Sequence, residues 1–294
     1  MKNHLNRRNV LKGLALGTAA VLAANQTVLS AEENAGETPA KRKGNIKQSC
    51  CYWCYNLPLE EFAENCKKIG LVGIDLLSPG EQWEIMAKKD MIVTMGNVPG
   101  ASISTGFNHI ENHDKLIEAY EKYIPEAAKH KVPNLICFSG NRAGISEEEG
   151  LENCVTGLKK IVPTAEKYGI TLQMELLNSK SHKDYQADHT AWGGELARRV
   201  GSERFKLLYD IHHMQRMEGD VIDTIRAYKD VIGHYHTGGV PGRNEINDTQ
   251  ELYYPAIIKA ILDTGFKGFL AHEFIPKRQD KLVSLREGAE ICDL

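Results

Sequence analysis

The chain has 294 residues, of which 42% are hydrophobic and 26% charged, a composition typical of a globular protein with one large core. Its formal net charge of −3 falls to −7 if the first 31 residues, with four basic side chains and no acidic one, are removed. A mildly acidic chain lacks the basic face that nucleic acid requires, so nucleic acid is excluded as a partner.

The first 31 residues have the organisation of an export signal. Arg7 and Arg8 precede an apolar run rich in Ala and Gly from Leu14 to Ala24. Paired arginines are typical of twin-arginine signals, and the apolar run is shorter than the roughly 20 residues of a membrane span. The sequence therefore predicts a cleaved signal peptide at 1–31, a disordered tether at 32–45 and a folded domain at 46–294. We expect a periplasmic protein with no membrane span after processing.

Eight strand-and-helix units follow the tether. The hydrophobic periodicity predicts strands at 46–52, 72–77, 91–95, 134–139, 170–176, 205–211, a run ending at 235, and 268–274. Helices are predicted at 59–69, 81–89, 112–130, 147–168, 188–200, 220–229, 252–264 and from 281 onwards. This alternation implies parallel strands, and eight units predict a single-domain α/β fold, the (β/α)8 or TIM barrel. No Gly-rich phosphate fingerprint follows any strand, which disfavours an open dinucleotide-binding sheet.

Four predicted strands in the second half end on residues that can bind a metal: Glu175, Asp210, His236 and Glu273. In such a barrel the functional groups lie at the carboxyl ends of the strands. Neighbouring strand ends are about 5 Å apart, so three carboxylates would repel one another without a cation. Oxygen ligands with one imidazole suit Mg²⁺, Mn²⁺ or Co²⁺ with open coordination positions. We therefore predict a divalent metal ion held by these four residues.

Other residues near predicted strand ends are candidates for substrate binding or packing. In the loop HTGGVPGR the glycines allow close approach of the backbone, and Arg243 offers a planar set of donors. Trp53 follows the first strand and is placed to stack on a sugar face. Cys51 and Cys54 form a lone CxxC pair with no second pair downstream, which favours buried packing over a zinc or redox role.

The segments MELLNSK, YDIHHMQ, HTGGVPGRNE and AHEFIP resemble the corresponding parts of the hydroxypyruvate isomerase family. That family belongs to the xylose isomerase-like barrels, with the tagatose and psicose epimerases and endonuclease IV. The resemblance implies that Glu175 and Glu273 form the catalytic pair and that Asp210 and His236 complete the metal site. It also implies substrate contacts from His213, Arg243 and His182. Hydroxypyruvate isomerases often carry Gln where this chain has His236, whereas a His there resembles the ketose epimerases.

The resemblance implies an isomerase that moves a proton between adjacent carbons of a small hydroxy-carbonyl compound through an enediolate. Three alternatives stay open: a ketose 3-epimerase, a polyol dehydratase on the same barrel, and an exported sugar-binding protein without activity. Endonuclease-type cleavage would need more His ligands and a basic face. The expected partner is a small hydroxy-carbonyl or sugar molecule, and the sequence is compatible with an oligomer.

Overall fold

Eight parallel strands form a closed barrel in the computed structural model, which describes residues 39–294. Each strand pairs with the next, and the last pairs with the first. The predicted (β/α)8 barrel is therefore confirmed. The strands are β1 Lys47–Cys51, β2 Gly73–Leu77, β3 Ile92–Gly96, β4 Asn134–Cys137, β5 Thr171–Leu176, β6 Phe205–Asp210, β7 Ile232–Thr237 and β8 Phe269–His272.

Helices follow the strands on the outside of the barrel. They are α1 Leu59–Ile69, α2 Glu81–Lys88, α3 His113–Lys129, α4 Glu147–Tyr168, α5 Thr190–Val200, α6 Ile211–Met217, α7 Val221–Ala227, α8 Tyr254–Asp263 and α9 Lys281–Ile291. Short 3-10 helices occupy Tyr52–Cys54 and Ile110–Asn112. Apolar residues at helical spacing explain the packing: in α1 the residues Leu59, Phe62, Ala63, Cys66 and Ile69 are all buried.

Helix α6 was not predicted from the sequence. The sixth strand was expected to run to residue 211, but it ends at Asp210, and α6 begins with the next residue. The Asp210 carboxylate accepts a hydrogen bond from the backbone N–H of His213 at 2.9 Å, which caps the new helix. This turn brings His213 to the carboxyl end of the barrel.

The described part of the predicted tether, residues 39–45, contacts the folded domain. Ala40 N donates to the Lys68 carbonyl at 2.9 Å, and Arg42 Nε donates to the Ile69 carbonyl at 3.0 Å. These bonds satisfy carbonyl groups at the end of α1. The predicted export signal lies outside the described residues.

Two further expectations concern membranes and cysteines. Among the described residues, no helix has the length and apolar character needed to cross a bilayer. The seven cysteines are all buried and none forms a disulfide. Cys51 and Cys54 are thus buried, as expected of packing residues.

Candidate active site

The four predicted ligand residues converge at the carboxyl ends of β5 to β8. Asp210 ends β6 and lies directly beside His236 in the strand register. Glu175 lies on β5, and Glu273 directly follows β8. One ligand atom from each of the four lies within 4.8 Å of the others, and all four side chains are buried. The structure thus brings these residues into one cluster, as the strand pattern predicted.

An imidazole and a guanidinium lie among the three carboxylates. His236 Nδ1 is 2.6 Å from Glu273 Oε2 and 3.6 Å from Glu175 Oε1. Arg243 Nη2 is 2.8 Å from Asp210 Oδ2 and also forms an ion pair with Glu273 Oε2. Arg243 therefore supplies one positive charge to a cluster of three carboxylates.

The carboxyl groups differ in their pKa values. Burial raises the pKa of Asp210 to about 7, against the opposing charge of Arg243. Burial likewise raises the pKa of Glu175. For Glu273, burial acts in the same direction, but Arg243 and His236 outweigh it and hold the pKa well below its usual range. Full ionisation of all three carboxyls at neutral pH therefore calls for further positive charge at the cluster.

This set of donor atoms fits a divalent cation. Three carboxylates and one imidazole converge within 4.8 Å, and such a set suits Mg²⁺, Mn²⁺ or Co²⁺. Cys51 lies close as well, with its Sγ 3.9 Å from His236 Nε2. Burial raises the pKa of the Cys51 thiol well above its usual value, which disfavours the thiolate that a metal would bind. The residues that could hold a metal are therefore Glu175, Asp210, His236 and Glu273.

Asp75 on β2 belongs to this site and was missed by the sequence analysis. Its Oδ2 lies 3.0 Å from His236 Nε2 and 2.8 Å from His234 Nε2. Its Oδ1 accepts hydrogen bonds from Ser49 Oγ and Thr94 Oγ1. A carboxylate at Nε2 holds the proton on that nitrogen and turns Nδ1 of His236 towards the cluster, as partners of metal-binding histidines do. The only sequence signal was an acid inside the apolar strand GIDLL.

A cavity of about 500 Å³ opens above the cluster. Its walls include Glu175 and Glu273 together with all four predicted substrate-binding residues: Trp53, His182, His213 and Arg243. Asp210 and His236 are fully buried beneath it. The volume falls in the range of small-ligand sites, which bury most of the ligand's surface. All eight residues singled out from the sequence therefore belong to one site.

Trp53 has a contact that the sequence did not suggest. Its Nε1 donates a hydrogen bond to Glu273 Oε1 at 2.8 Å, while half of the residue, 51%, is exposed. The Arg243 guanidinium carbon lies 5.9 Å from the centre of the Trp53 ring. Trp53 therefore fixes one oxygen of Glu273 and also covers the cavity from the side of β1.

The loop after β7 positions Arg243. Gly239 N donates to the Asn244 carbonyl at 2.9 Å, and Arg243 N donates to the Gly239 carbonyl at 2.6 Å. A Cβ at Gly239 would lie 2.3 Å from the Glu245 carbonyl oxygen, so only glycine fits there. Arg243 itself has a φ of 56°, a strained value for a non-glycine residue and frequent at functional sites. This tight loop directs the guanidinium between Asp210 and Glu273.

His213 lies beside Arg243 on the cavity wall. Its Nε2 is 2.5 Å from Arg243 Nη1. Burial, and next the charge of Arg243, lower the pKa of His213 well below its usual value. His213 is therefore neutral at pH 7, and it can take part in hydrogen bonds with substrate oxygens without adding charge to the site.

A closed parallel barrel with an acidic cluster under a cavity at its carboxyl end has the architecture of an enzyme. The sequence matches the xylose isomerase-like TIM barrel family over residues 53–292. The chain belongs to this family.

Curated relatives indicate the class of reaction, and a solved structure shows the shared fold. Hydroxypyruvate isomerase of Escherichia coli K12 is 26% identical over 73% of this chain and 86% of that protein. 2-oxo-tetronate isomerase of Cupriavidus necator is 30% identical, over only 37% of this chain and 42% of that protein. The structure of D-psicose 3-epimerase from Clostridium cellulolyticum H10 superimposes with a TM-score of 0.69 over 84% of this chain and 97% of that one. The two sequences are 16% identical, so this similarity shows the shared fold. The protein is an isomerase or epimerase, and the family resemblance is confirmed.

Proposed function

We propose that the protein is a divalent-metal-dependent isomerase of a small hydroxy-carbonyl compound, similar in reaction to hydroxypyruvate isomerase. The observation that carries this proposal is the convergence of four ligand atoms within 4.8 Å on the floor of a cavity that His213 and Arg243 line. A fold shared by isomerases and epimerases supports the same reaction class.

Glu175, Asp210, His236 and Glu273 would hold the metal ion. When bound, the ion supplies positive charge beside the carbonyl and hydroxyl oxygens of the substrate, which makes the neighbouring C–H group more acidic. Four protein ligands are fewer than the six or more oxygen ligands that such an ion takes, so substrate oxygens could complete its coordination. Asp75 keeps Nδ1 of His236 directed at the cluster through the bond to Nε2.

The two glutamates are placed to transfer the proton. Glu175 and Glu273 come from β5 and β8, which are separated by two strands, and both line the cavity. One glutamate removes the proton from the carbon that bears the hydroxyl group, and the electron pair forms the C=C bond of an enediolate. A proton then returns to the adjacent carbon, the hydroxyl proton passes from one substrate oxygen to the other, and the carbonyl group has moved by one position.

Arg243 and His213 orient the substrate, and Trp53 orients Glu273. The Arg243 guanidinium forms ion pairs with Asp210 and Glu273, and these hold its N–H donors at the edge of the cluster. A donor fixed in this place stabilises negative charge as it develops on the substrate oxygens. The Trp53 bond to Oε1 fixes the Glu273 carboxylate plane, which favours a single direction of proton delivery.

The proposal is tested by proton exchange in D₂O. Purified protein is incubated with hydroxypyruvate and Mn²⁺, and NMR follows deuterium uptake at C3 together with formation of the isomer that has its carbonyl at C3. We expect exchange that a chelator abolishes and added Mn²⁺ restores. Absence of exchange with three- and four-carbon hydroxy-oxo acids and with ketoses, in protein that is folded and metal-loaded, would overturn the proposal.

A ketose 3-epimerase is the second candidate. The observation that favours it is the imidazole of His236 within the ligand cluster, because the resemblance associates a His at this position with the ketose epimerases. An epimerase would return the proton to the carbon that lost it, on the opposite face. Product analysis separates the two reactions, since only the isomerase changes the position of the carbonyl group.

A further inference from the structure

A second cationic side chain, Arg216, lines the cavity and has no role in the site described above. It lies in α6 and shares the cavity wall with Ser181 and His182 from the loop after β5. Arg216 Nη1 donates a hydrogen bond to Ser181 Oγ at 2.8 Å. The side chain is half-buried, so it is both held in place and accessible to a ligand in the cavity.

The charges of the two cavity arginines are balanced differently. Arg243 forms ion pairs with Asp210 and Glu273, whereas Arg216 forms no ion pair with any carboxylate in residues 39–294. One of the five N–H donors of its guanidinium serves Ser181, and the planar group retains the geometry that matches a carboxylate. Besides its acidic floor, the cavity therefore offers a cation that has no carboxylate partner among the described residues.

This arrangement fixes how an anionic substrate would lie. At the cavity floor, Arg243 and a bound divalent ion would offset the three carboxylates, whereas the charge of Arg216, which has no carboxylate partner in the described part of the chain, attracts a substrate carboxylate. The hydroxy-carbonyl end is then directed to the acidic floor, where the proposed proton transfer takes place. A neutral ketose would gain little from Arg216, because it carries no charge to pair with the guanidinium.

We infer that Arg216, with Ser181 and His182 beside it, binds a carboxylate at the far end of the substrate, so that the substrate is a short hydroxy-oxo acid rather than a neutral ketose. This inference rests on the proposed function for the identity of the reacting end. Binding of the carboxylate end can be measured whether or not the protein turns the substrate over. Ser181 keeps the guanidinium in place, and Arg216 provides the charge.

The test is direct binding of matched unreactive probes to the metal-loaded protein. Glycerate is a three-carbon hydroxy acid, and glycerol is its neutral counterpart; calorimetry measures both with wild type, Arg216→Gln and Arg216→Lys. We expect Arg216→Gln to bind glycerate roughly 10- to 100-fold more weakly, the usual effect of losing a hydrogen-bonded charge. Arg216→Lys should fall between the two because it keeps the charge without the planar fork. Glycerol binding should be the same in all three.

A matched control is Arg226→Gln, since Arg226 is an exposed arginine paired with Asp223 and does not line the cavity. This variant should bind glycerate as wild type does. Equal glycerate affinity of wild type and Arg216→Gln, or no preference of wild type for glycerate over glycerol, overturns the inference. If Arg216→Gln loses glycerate but wild type exchanges no substrate proton, the carboxylate site stands and the proposed reaction fails.

Kinetics give a second readout if the exchange assay detects turnover. Arg216→Gln should raise KM for hydroxypyruvate by a similar factor and change kcat much less, because Arg216 contacts the end of the substrate that does not react. A loss confined to kcat would contradict a binding role. Unchanged thermal unfolding of the variant would show that the effect does not come from misfolding.

Discussion

Asp75 Oδ2 lies 3.0 Å from Nε2 of His236, on the edge of the imidazole ring opposite to the Nδ1 that faces Glu273. Asp75 is fully buried and bonds to four side chains. Burial alone would raise the pKa of this carboxyl, but the charges and hydrogen bonds of His234 and His236 hold it well below its usual range. Asp75 is therefore ionised, and it keeps the proton of His236 on Nε2.

The first prediction is that Asp75→Asn weakens binding of a divalent metal. The asparagine amide can donate to Nε2, which moves the imidazole proton to Nδ1 and blocks the nitrogen directed at the cluster. We expect Mn²⁺ affinity to fall by about 10- to 100-fold, the usual effect of removing such a partner. Calorimetric titration of the metal-free protein measures this change.

The control for Asp75→Asn is Ser49→Ala. It removes one donor to Oδ1 but leaves the carboxylate on His236, so Mn²⁺ affinity should stay close to that of wild type. A folded Asp75→Asn protein with wild-type Mn²⁺ affinity would show that Asp75 does not set the orientation of His236.

The second prediction concerns the two glutamates. Glu175→Gln and Glu273→Gln should each lower turnover by about two to four orders of magnitude, because each removes a general acid-base group. If each glutamate serves a different proton transfer, one variant should still exchange the substrate proton with D₂O without forming product. Steady-state assays and NMR in D₂O measure the two effects.

Glu203→Gln is the control for this pair, since Glu203 pairs with Lys206 and its side chain is 93% exposed. Wild-type turnover in both Glu175→Gln and Glu273→Gln would assign the chemistry to other residues. Loss of exchange in both variants would instead show that proton removal needs both residues, since each is also a proposed metal ligand.

The third prediction concerns export, which we propose from the paired arginines near the amino terminus. Replacing Arg7 and Arg8 together by Lys should leave the precursor in the cytoplasm, because the exporter recognises the guanidinium pair. Cell fractionation and immunoblotting measure the distribution. Lys2→Arg keeps the pair and should be exported normally, whereas normal export of the double variant would reject the signal.

The sequence predicted the barrel and most of the site because both depend on local pattern. Alternating strands and helices imply a parallel sheet, and residues at strand ends must meet at one end of a closed barrel. Glu175, Asp210 and His236 could therefore be placed together from the linear order of strands. The boundaries differ by one or two residues, as at Glu273, which follows β8 rather than ending it.

The missed contacts all depend on closure of the barrel rather than on local pattern. Asp75 meets His234 and His236 across 159 and 161 residues of chain, and Trp53 meets Glu273 across 220. No periodicity encodes such a contact, because it arises only when β8 pairs with β1. Arg216 was missed for a different reason: it lies on α6, and the sequence pattern assigned residues 212–219 to no helix.

The last prediction concerns acid stability and His272. His272 is fully buried; its Nε2 lies 2.9 Å from Gln48 Oε1, and its Nδ1 lies 3.1 Å from Thr237 Oγ1. Burial, with a contribution from the charge of Arg42, lowers its pKa to about 3, compared with about 6.5 in an unfolded chain. Between these values the unfolded state binds a proton that the folded state excludes, so this group destabilises the fold progressively as pH falls below about 6.5, by up to about 1.4 kcal/mol per pH unit.

Urea unfolding from pH 7 to pH 4 should show a smaller loss of stability in His272→Gln than in wild type, although the variant starts less stable at pH 7 because its packing is altered. Equal slopes for His272→Gln and wild type would show that His272 accepts its proton in the folded protein.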